Sequence, residues 1–216
     1  MPMKKRVKRQ YDATARRAAA EQTRLSILDS ARRLFLEKGY AATTMPAIAR
    51  AAEVALDTVY ATVGTKAELI KLLVEAALSG RDEAVPADER EYVRAIREEP
   101  DARRKLQIYA NALADIQPRL APLFQVLQTA APLDAELGAL WQEISTRRAA
   151  NMRLLAKNLM ATGRVRAELT ESIVADVLWS MNSPEFYLLL VGQRGWLPRE
   201  FGSWLTDAWL RLLLQT

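Results

Sequence analysis

Residues 52–69 read AEVALDTVYATVGTKAEL. Leu56 to Thr62 has helical spacing, with Val59 and Val63 on its inward side. Thr65 and Glu68 form a capping box, the reciprocal Thr/Glu pairing that opens a helix, which is expected to run to about Ser79 and stop at Gly80. Upstream, Thr44 is a good N-cap for a short helix over Met45–Ala52, with Pro46 tolerated in the first turn. Two short helices joined by a tight turn at Glu53–Ala55 describe a helix-turn-helix, whose second helix enters the DNA major groove. Two residues work against it. Glu53 stands where glycine would ease the turn, a loss of about 1 kcal/mol if the position needs positive φ. Ala55 stands where serine would cap the second helix, forfeiting about 1 kcal/mol more. Asp57, in the first turn, offsets part of this by facing the positive helix end. A helix held by tertiary packing tolerates such losses, so the segment is expected to fold as a reading helix.

Outward from this stretch the pattern remains helical. Ile27, Leu28, Ala31, Leu34 and Phe35 share one face of a helix from Leu25 to Lys38, which Gly39 should stop. The Ala-rich run from Asp12 to Gln22 is suited to extend it backward. Downstream, breaks are expected before Ala87, Ala102, Pro118 and Asp134. A long helix over Ala135–Thr162 should end at Gly163. Thr170 caps the next, and Ser183-Pro184-Glu185 reads as a fresh N-cap with proline at N1. Gly195-Trp196-Leu197-Pro198 turns into a final helix, Arg199–Leu214. Alternating β-branched runs are nearly absent, so the fold class is all-α.

Composition narrows the chemistry. The chain has 216 residues, 50% hydrophobic and 26% charged, enough for one or two domains with a real core. It has neither cysteine nor histidine, which removes disulfides, Cys/His zinc sites and imidazole bases. No phosphate-binding glycine loop appears. No catalytic residue, metal ligand or cofactor is therefore assigned, and the chain is not expected to be an enzyme. No apolar run approaches the ~20 residues of a membrane span. MPMKKRVKRQ is basic but lacks an apolar core, so it is no secretory signal, and a cytoplasmic location is expected. The net charge of +5 is unevenly placed. Residues 1–24 carry eight Lys/Arg against Asp12 and Glu21, leaving 23 basic and 24 acidic groups elsewhere. Lys4, Lys5 and Arg6 belong to this basic arm, which attracts phosphate through counterion release.

Taken together, "ILDSARRLFLEKGYAATTMPAIARAAEVALDTVYATVGTKAEL" resembles the DNA-binding domain of the tetracycline-repressor (TetR) family. The matching elements are Ala31, Phe35, Lys38-Gly39-Tyr40, Thr43-Thr44, Ile48-Ala49, Val54, Thr58-Val59-Tyr60, and Lys66 with Leu69. The stretch SPEFYLLLVGQRGW and the later FGSWLTDAW also look like ligand-domain sequences of that family. The resemblance implies a homodimeric repressor, with an N-terminal helix-turn-helix domain and a C-terminal helical ligand-binding and dimerisation domain. The expected division is a basic arm over 1–21, the helix-turn-helix domain over 22–65, and the body over 66–216. Partners would be a double-stranded DNA operator, a small-molecule effector and a second copy of the chain, with no membrane. Positions matching the family's base contacts are Leu56, Asp57, Thr58, Tyr60 and Ala61. None is Arg, Lys, Asn or Gln, so this helix offers no bidentate pairing to G or A. Leu56, Ala61 and the Thr58 methyl suit thymine methyls, and Asp57 suits a cytosine N4 or serves only as a helix-start charge. Positions matching phosphate contacts are Thr44, Tyr60, Thr62 and Lys66.

In the body, Leu137, Trp141, Ile144, Arg148, Met152, Leu155 and Leu159 form one stripe. Such a stripe is more often core than pocket. Even so, Tyr109, Phe124, Trp141, Met152 and Trp179 are large, adaptable groups that suit an apolar effector site, with Trp141 and Met152 expected beside a cavity. Arg148 or Asn151 suits a polar or anionic end of that effector, and for Arg148 the alternative is a salt bridge to a neighbouring helix. The helices after Thr170 are rich in Val, Leu and Trp and suit a four-helix dimer interface. The leading reading is a repressor released from a palindromic operator by a small, largely apolar ligand. The rival is a basic-armed helical scaffold that binds a protein partner or membrane surface without reading DNA sequence. A carboxylate-based enzyme is a distant third.

Overall fold

The computed structural model describes residues 4–80 and 85–215, with side chains from residue 16 onward over the same spans. Ten α-helices account for most of them: α1 Lys4–Ala42, α2 Met45–Ala51, α3 Leu56–Val63, α4 Lys66–Ser79, α5 Glu91–Glu98, α6 Ala102–Ala130, α7 Ala135–Met160, α8 Glu171–Met181, α9 Pro184–Tyr187 and α10 Pro198–Leu213. Among the described residues no strand forms; the only extended pairing is one antiparallel bridge, Val165 to Leu214. The chain divides into two compact units, Met1–Leu73 and Val74–Thr216.

The first unit is built on α1. The helix runs continuously from Lys4 through the Ala-rich stretch, and its break comes at Gly39 (φ 77°, ψ 172°). Thr43, 1% exposed, turns its hydroxyl back toward the carbonyls of Leu34 (3.0 Å) and Gly39 (2.8 Å), satisfying groups the kink would orphan. Ile27, Ala31 and Phe35 of α1 are fully buried, as are Ile48 of α2, Val59 of α3 and Leu69 and Ile70 of α4. Thr44 caps α2, accepting from the Ala47 N–H at 3.3 Å. Thr65 and Glu68 close the capping box in both directions, at 2.7 and 3.1 Å.

The turn between α2 and α3 explains the two unusual residues. Val54 N–H bonds the Ala49 carbonyl (3.1 Å) and Glu53 N–H bonds that of Arg50 (3.3 Å). This is a Schellman ending, which sets the intervening residue in the left-handed region. That residue is Glu53, at φ 57°, the one non-glycine with positive φ among the described residues. Ala55 begins α3 with extended backbone and no side-chain cap, while Asp57 occupies the first turn.

The second unit is organised around α6, which packs along α10 and also meets α5, α7 and α9. Gly202 of α10 lies so close to α6 that an added Cβ would stand 2.9 Å from Ala114 Cβ. α7 pairs with α8. One sequence expectation fails here. No break occurs before Pro118: α6 continues through both Pro118 and Pro122. Proline removes one helical hydrogen bond each time, but α6 is buried at Ile116, Leu120, Ala121, Leu123, Phe124 and Leu127, and this packing outweighs the two lost rungs. The element after α9 also departs from a plain helix, since Leu188–Gln193 winds as a π-helical segment.

Candidate functional site

In the first unit, Val59 (0% exposed) and Val63 (3%) seat α3 on the core, and this fixes which side chains it turns outward. Asp57, Tyr60 and Ala61 are exposed, while Leu56, Thr58 and Thr62 are half-buried. Tyr60, at 48% exposure, is no core filler. Thr44 is exposed, and because its oxygen accepts within α2, its own proton remains available to a phosphate. Thr62 is less free, since its hydroxyl donates to the Thr58 carbonyl at 2.6 Å. Lys66 sets its ammonium 3.9 Å from the centre of the Tyr40 ring, and Tyr40 in turn stacks on Phe35. The side chains of Lys4, Lys5 and Arg6 lie outside the described residues.

Alongside α3 runs a surface concavity of about 520 Å³, lined by Arg17, Glu21, Thr23 and Arg24 of α1 and by Thr58 and Thr62 of α3. Arg17 and Arg24 are seven residues apart and so share a helix face. They add positive charge beside the outward face of α3, with Arg24 also bonded to Glu21 at 3.1 Å. Sequence reasoning counted both in the basic N-terminal total but did not place them there. The signal that could have found them was the seven-residue spacing.

In the second unit, three of the six candidate effector residues, Tyr109, Arg148 and Met152, meet one residue that sequence reasoning missed, and the other three are linked to it through Arg148. Asn182, 5% exposed, ends α8. Its Nδ2 donates to Tyr109 Oη (2.7 Å) and meets Met152 Sδ (2.9 Å), and its Oδ1 accepts from Arg148 Nη2 (2.7 Å). Its backbone carbonyl accepts from the buried Gln117 Nε2 at 2.7 Å. Arg148 also donates to the Trp179 carbonyl at 3.1 Å. Its guanidinium lies 5.3 Å from the Trp179 ring centre and 5.8 Å from that of Phe124, whose ring sits 4.7 Å from Trp141. The salt bridge to a neighbouring helix is therefore not what Arg148 makes: its bonded partners are an amide and a carbonyl. Burial pushes the Tyr109 hydroxyl well above its ordinary range, with the Tyr92 hydroxyl adding to the shift. Burial likewise lowers Arg148, against the opposing pull of Tyr109 and Glu185.

Trp141 packs on Phe124, and Met152 Sδ meets Tyr109 Oη at 3.5 Å and Asn182 Nδ2 at 2.9 Å. A further surface concavity, about 430 Å³, lies at Ala114, Asp115, Leu197, Pro198 and Arg199. Among the described residues no group of acidic side chains is arranged to hold a metal ion, and no helix is long and apolar enough to cross a membrane.

Residues 27–73 match the family model described as bacterial regulatory proteins, tetR family. The HTH-type transcriptional regulator YdeS of Bacillus subtilis (strain 168) is 31% identical over 176 residues, spanning 79% of this chain and 80% of that protein. The chain belongs to the TetR family of transcriptional regulators. Solved structures of this TetR fold include NalD, the secondary repressor of the MexAB-OprM multidrug efflux pump in Pseudomonas aeruginosa. It superimposes with a TM-score of 0.71 at 24% identity, over 92% of this chain and 98% of NalD. A SmeT–triclosan complex superimposes with a TM-score of 0.69 at 20% identity, over 89% of this chain and 92% of SmeT. In TetR terms, the first unit carries the helix-turn-helix and the second is the helical body.

Proposed function

We propose that this TetR-family regulator is a homodimeric, cytoplasmic repressor that binds a near-palindromic operator and leaves it when a small, largely apolar effector enters the body. The observation that carries the reading is the outward face of α3. Asp57, Tyr60 and Ala61 are exposed on a helix that the buried Val59 and Val63 seat on the core. Leu56, Asp57, Thr58, Tyr60 and Ala61 then meet base edges. Thr44, Tyr60, Lys66 and, more weakly, Thr62 hold phosphates, with Arg17 and Arg24 beside them. The arm over 1–21, including Lys4, Lys5 and Arg6, adds affinity without sequence preference. The helix-turn-helix domain spans 22–65 and the body 66–216.

Two further features support the regulatory half of the reading. Tyr109, Phe124, Trp141, Arg148, Met152 and Trp179 form one aromatic and polar cluster, suited to an effector with a large apolar part. Ile173 of α8, and Trp204 and Leu212 of α10, are exposed apolar groups of the kind a second copy covers. The deciding experiment is selection of bound fragments from genomic DNA, followed by a small-molecule screen for release. A recovered palindrome, released by an apolar compound, is the expected result. Binding of equal strength to all fragments would instead favour a basic-armed scaffold.

A further inference from the structure

The aromatic box in the body already contains a cation. Arg148 of α7 stands between the ring faces of Phe124 on α6 and Trp179 on α8, at 5.8 and 5.3 Å from their centres. This is the place an aromatic cage offers to a ligand's ammonium group. With the guanidinium there, an entering cation meets a like charge at a half-buried position, where it is repelled.

The same guanidinium is poorly matched by its own partners. Both of its hydrogen bonds leave from Nη2 and end on neutral oxygens, Asn182 Oδ1 and the Trp179 carbonyl. Nε and Nη1 make no hydrogen bond. A carboxylate accepts from the guanidinium fork in a bidentate, charge-assisted way, roughly twice as strong as a neutral pairing. Glu185 is near enough to act on Arg148 electrostatically but forms no ion pair with it. Its Oε1 accepts from Gln128 at 3.4 Å, and its Oε2 is buried without a hydrogen-bond partner. The site therefore lacks an anion in contact with Arg148, and its walls are apolar rings. Trp179, at 38% exposure, is the most exposed of these walls, whereas Phe124 is buried.

On the reading of the body as an effector domain, we propose that the effector is a lipophilic monoanion. Its carboxylate takes Arg148 from Asn182, and its apolar part lies against Phe124, Trp141 and Trp179. Arg148 is thus the group that selects the charge of the effector, excluding lipophilic cations.

The test uses the full-length dimer without DNA and three probes of matched shape: phenylbutyrate, phenylbutyramide and phenylbutyl-trimethylammonium. Calorimetry should give the carboxylate about tenfold tighter binding than the amide, with the ammonium weakest. Arg148→Met should erase that order, and Arg148→Lys, which keeps the charge without the fork, should keep it in weakened form. Should Arg148→Met fail to fold, the wild-type order and Arg148→Lys still decide. An ammonium that binds as well as the carboxylate, an unchanged order in Arg148→Met, or no carboxylate binding at millimolar concentration overturns the proposal. A parallel DNA-release assay separates the two readings. Carboxylate binding without release would sink the release mechanism alone, and release by the ammonium probe would sink only the anion assignment.

Discussion

Arg148 and Asn182, thirty-four residues apart, are joined at 2.7 Å, which ties the middle of α7 to the end of α8. Asn182 also serves Tyr109 and Met152, so a single amide side chain bonds two buried groups and one half-buried guanidinium. Its removal takes one partner from each, leaving Arg148 only the Trp179 carbonyl and Tyr109 only Met152. Asn182→Ala is expected to cost about 2–4 kcal/mol, from unsatisfied buried polar groups and a small void. Urea unfolding followed by circular dichroism measures this. A loss below about 0.5 kcal/mol, the level of an ordinary surface substitution, would show that the network contributes little.

Glu53 holds a left-handed conformation that favours glycine. Glu53→Gly is expected to stabilise the protein by up to about 1 kcal/mol, the relief of strain being partly offset by the greater freedom of glycine in the unfolded chain. Operator affinity should stay the same, because the turn already has its final geometry. Destabilisation by Glu53→Gly in thermal unfolding would mean that the Glu53 side chain has a compensating role.

The outward face of α3 separates affinity from preference. Tyr60→Ala should weaken binding to every sequence alike. Asp57→Ala should relax the preference at one cytosine, by about 1–3 kcal/mol if the contact is direct. Binding-site selection with each variant reads this out. Unchanged base preference in Asp57→Ala would leave that residue only its helix-start role.

Arg17 and Arg24 make a quantitative prediction about salt. If each neutralises one phosphate per protomer, replacing either by Ala removes two contacts from the dimer. The slope of log K against log salt should then flatten by about 1.8, at roughly 0.9 per phosphate. Fluorescence anisotropy across a salt series tests it. A full wild-type slope in Arg17→Ala would remove that arginine from the interface.

Tyr109 gives the protein an alkaline limit. Its folded-state pKa is raised above the ordinary 10.0, so the unfolded chain loses the proton first. The stabilisation from keeping Tyr109 neutral is complete below pH 10 and declines as pH rises above it. Tyr109→Phe should lower stability at neutral pH, where the Asn182 bond is lost, and flatten the decline above pH 10. Parallel alkaline unfolding curves for the two proteins would exclude Tyr109 as the responsible group.

Local chemistry was legible in the sequence wherever a short-range rule governs it. Thr44, Thr65 with Glu68, Thr170 and Ser183 each cap the helix that their spacing indicates. The strain at Glu53 was readable for the same reason, because a Schellman turn depends on a few consecutive residues. Pro118 misled because proline's local cost is modest beside the burial of its neighbours, and burial is a property of the whole fold. Asn182 went unseen because nothing near it in sequence announces a buried amide. Its partners Tyr109, Gln117, Arg148 and Met152 come from two other helices. Arg148 was picked out from its stripe, but its amide and carbonyl partners required the packing of α8 against α7.

The two prolines give α6 a further property. Pro118 leaves the Ala114 carbonyl without its helical partner, and Pro122 does the same to the carbonyl of Pro118. The missing rungs fall one turn apart on a single side of the rod, where a helix bends most readily. Below that point, Tyr109 stacks on Trp209 and Ala114 meets Gly202, so this half is clamped to α10. Above it, Phe124 lies under Arg148 and beside Trp141. The longest helix of the body thus lacks two rungs at the point where its neighbours change: the half before them packs on the C-terminal helix, and the half after them packs among the rings around Arg148.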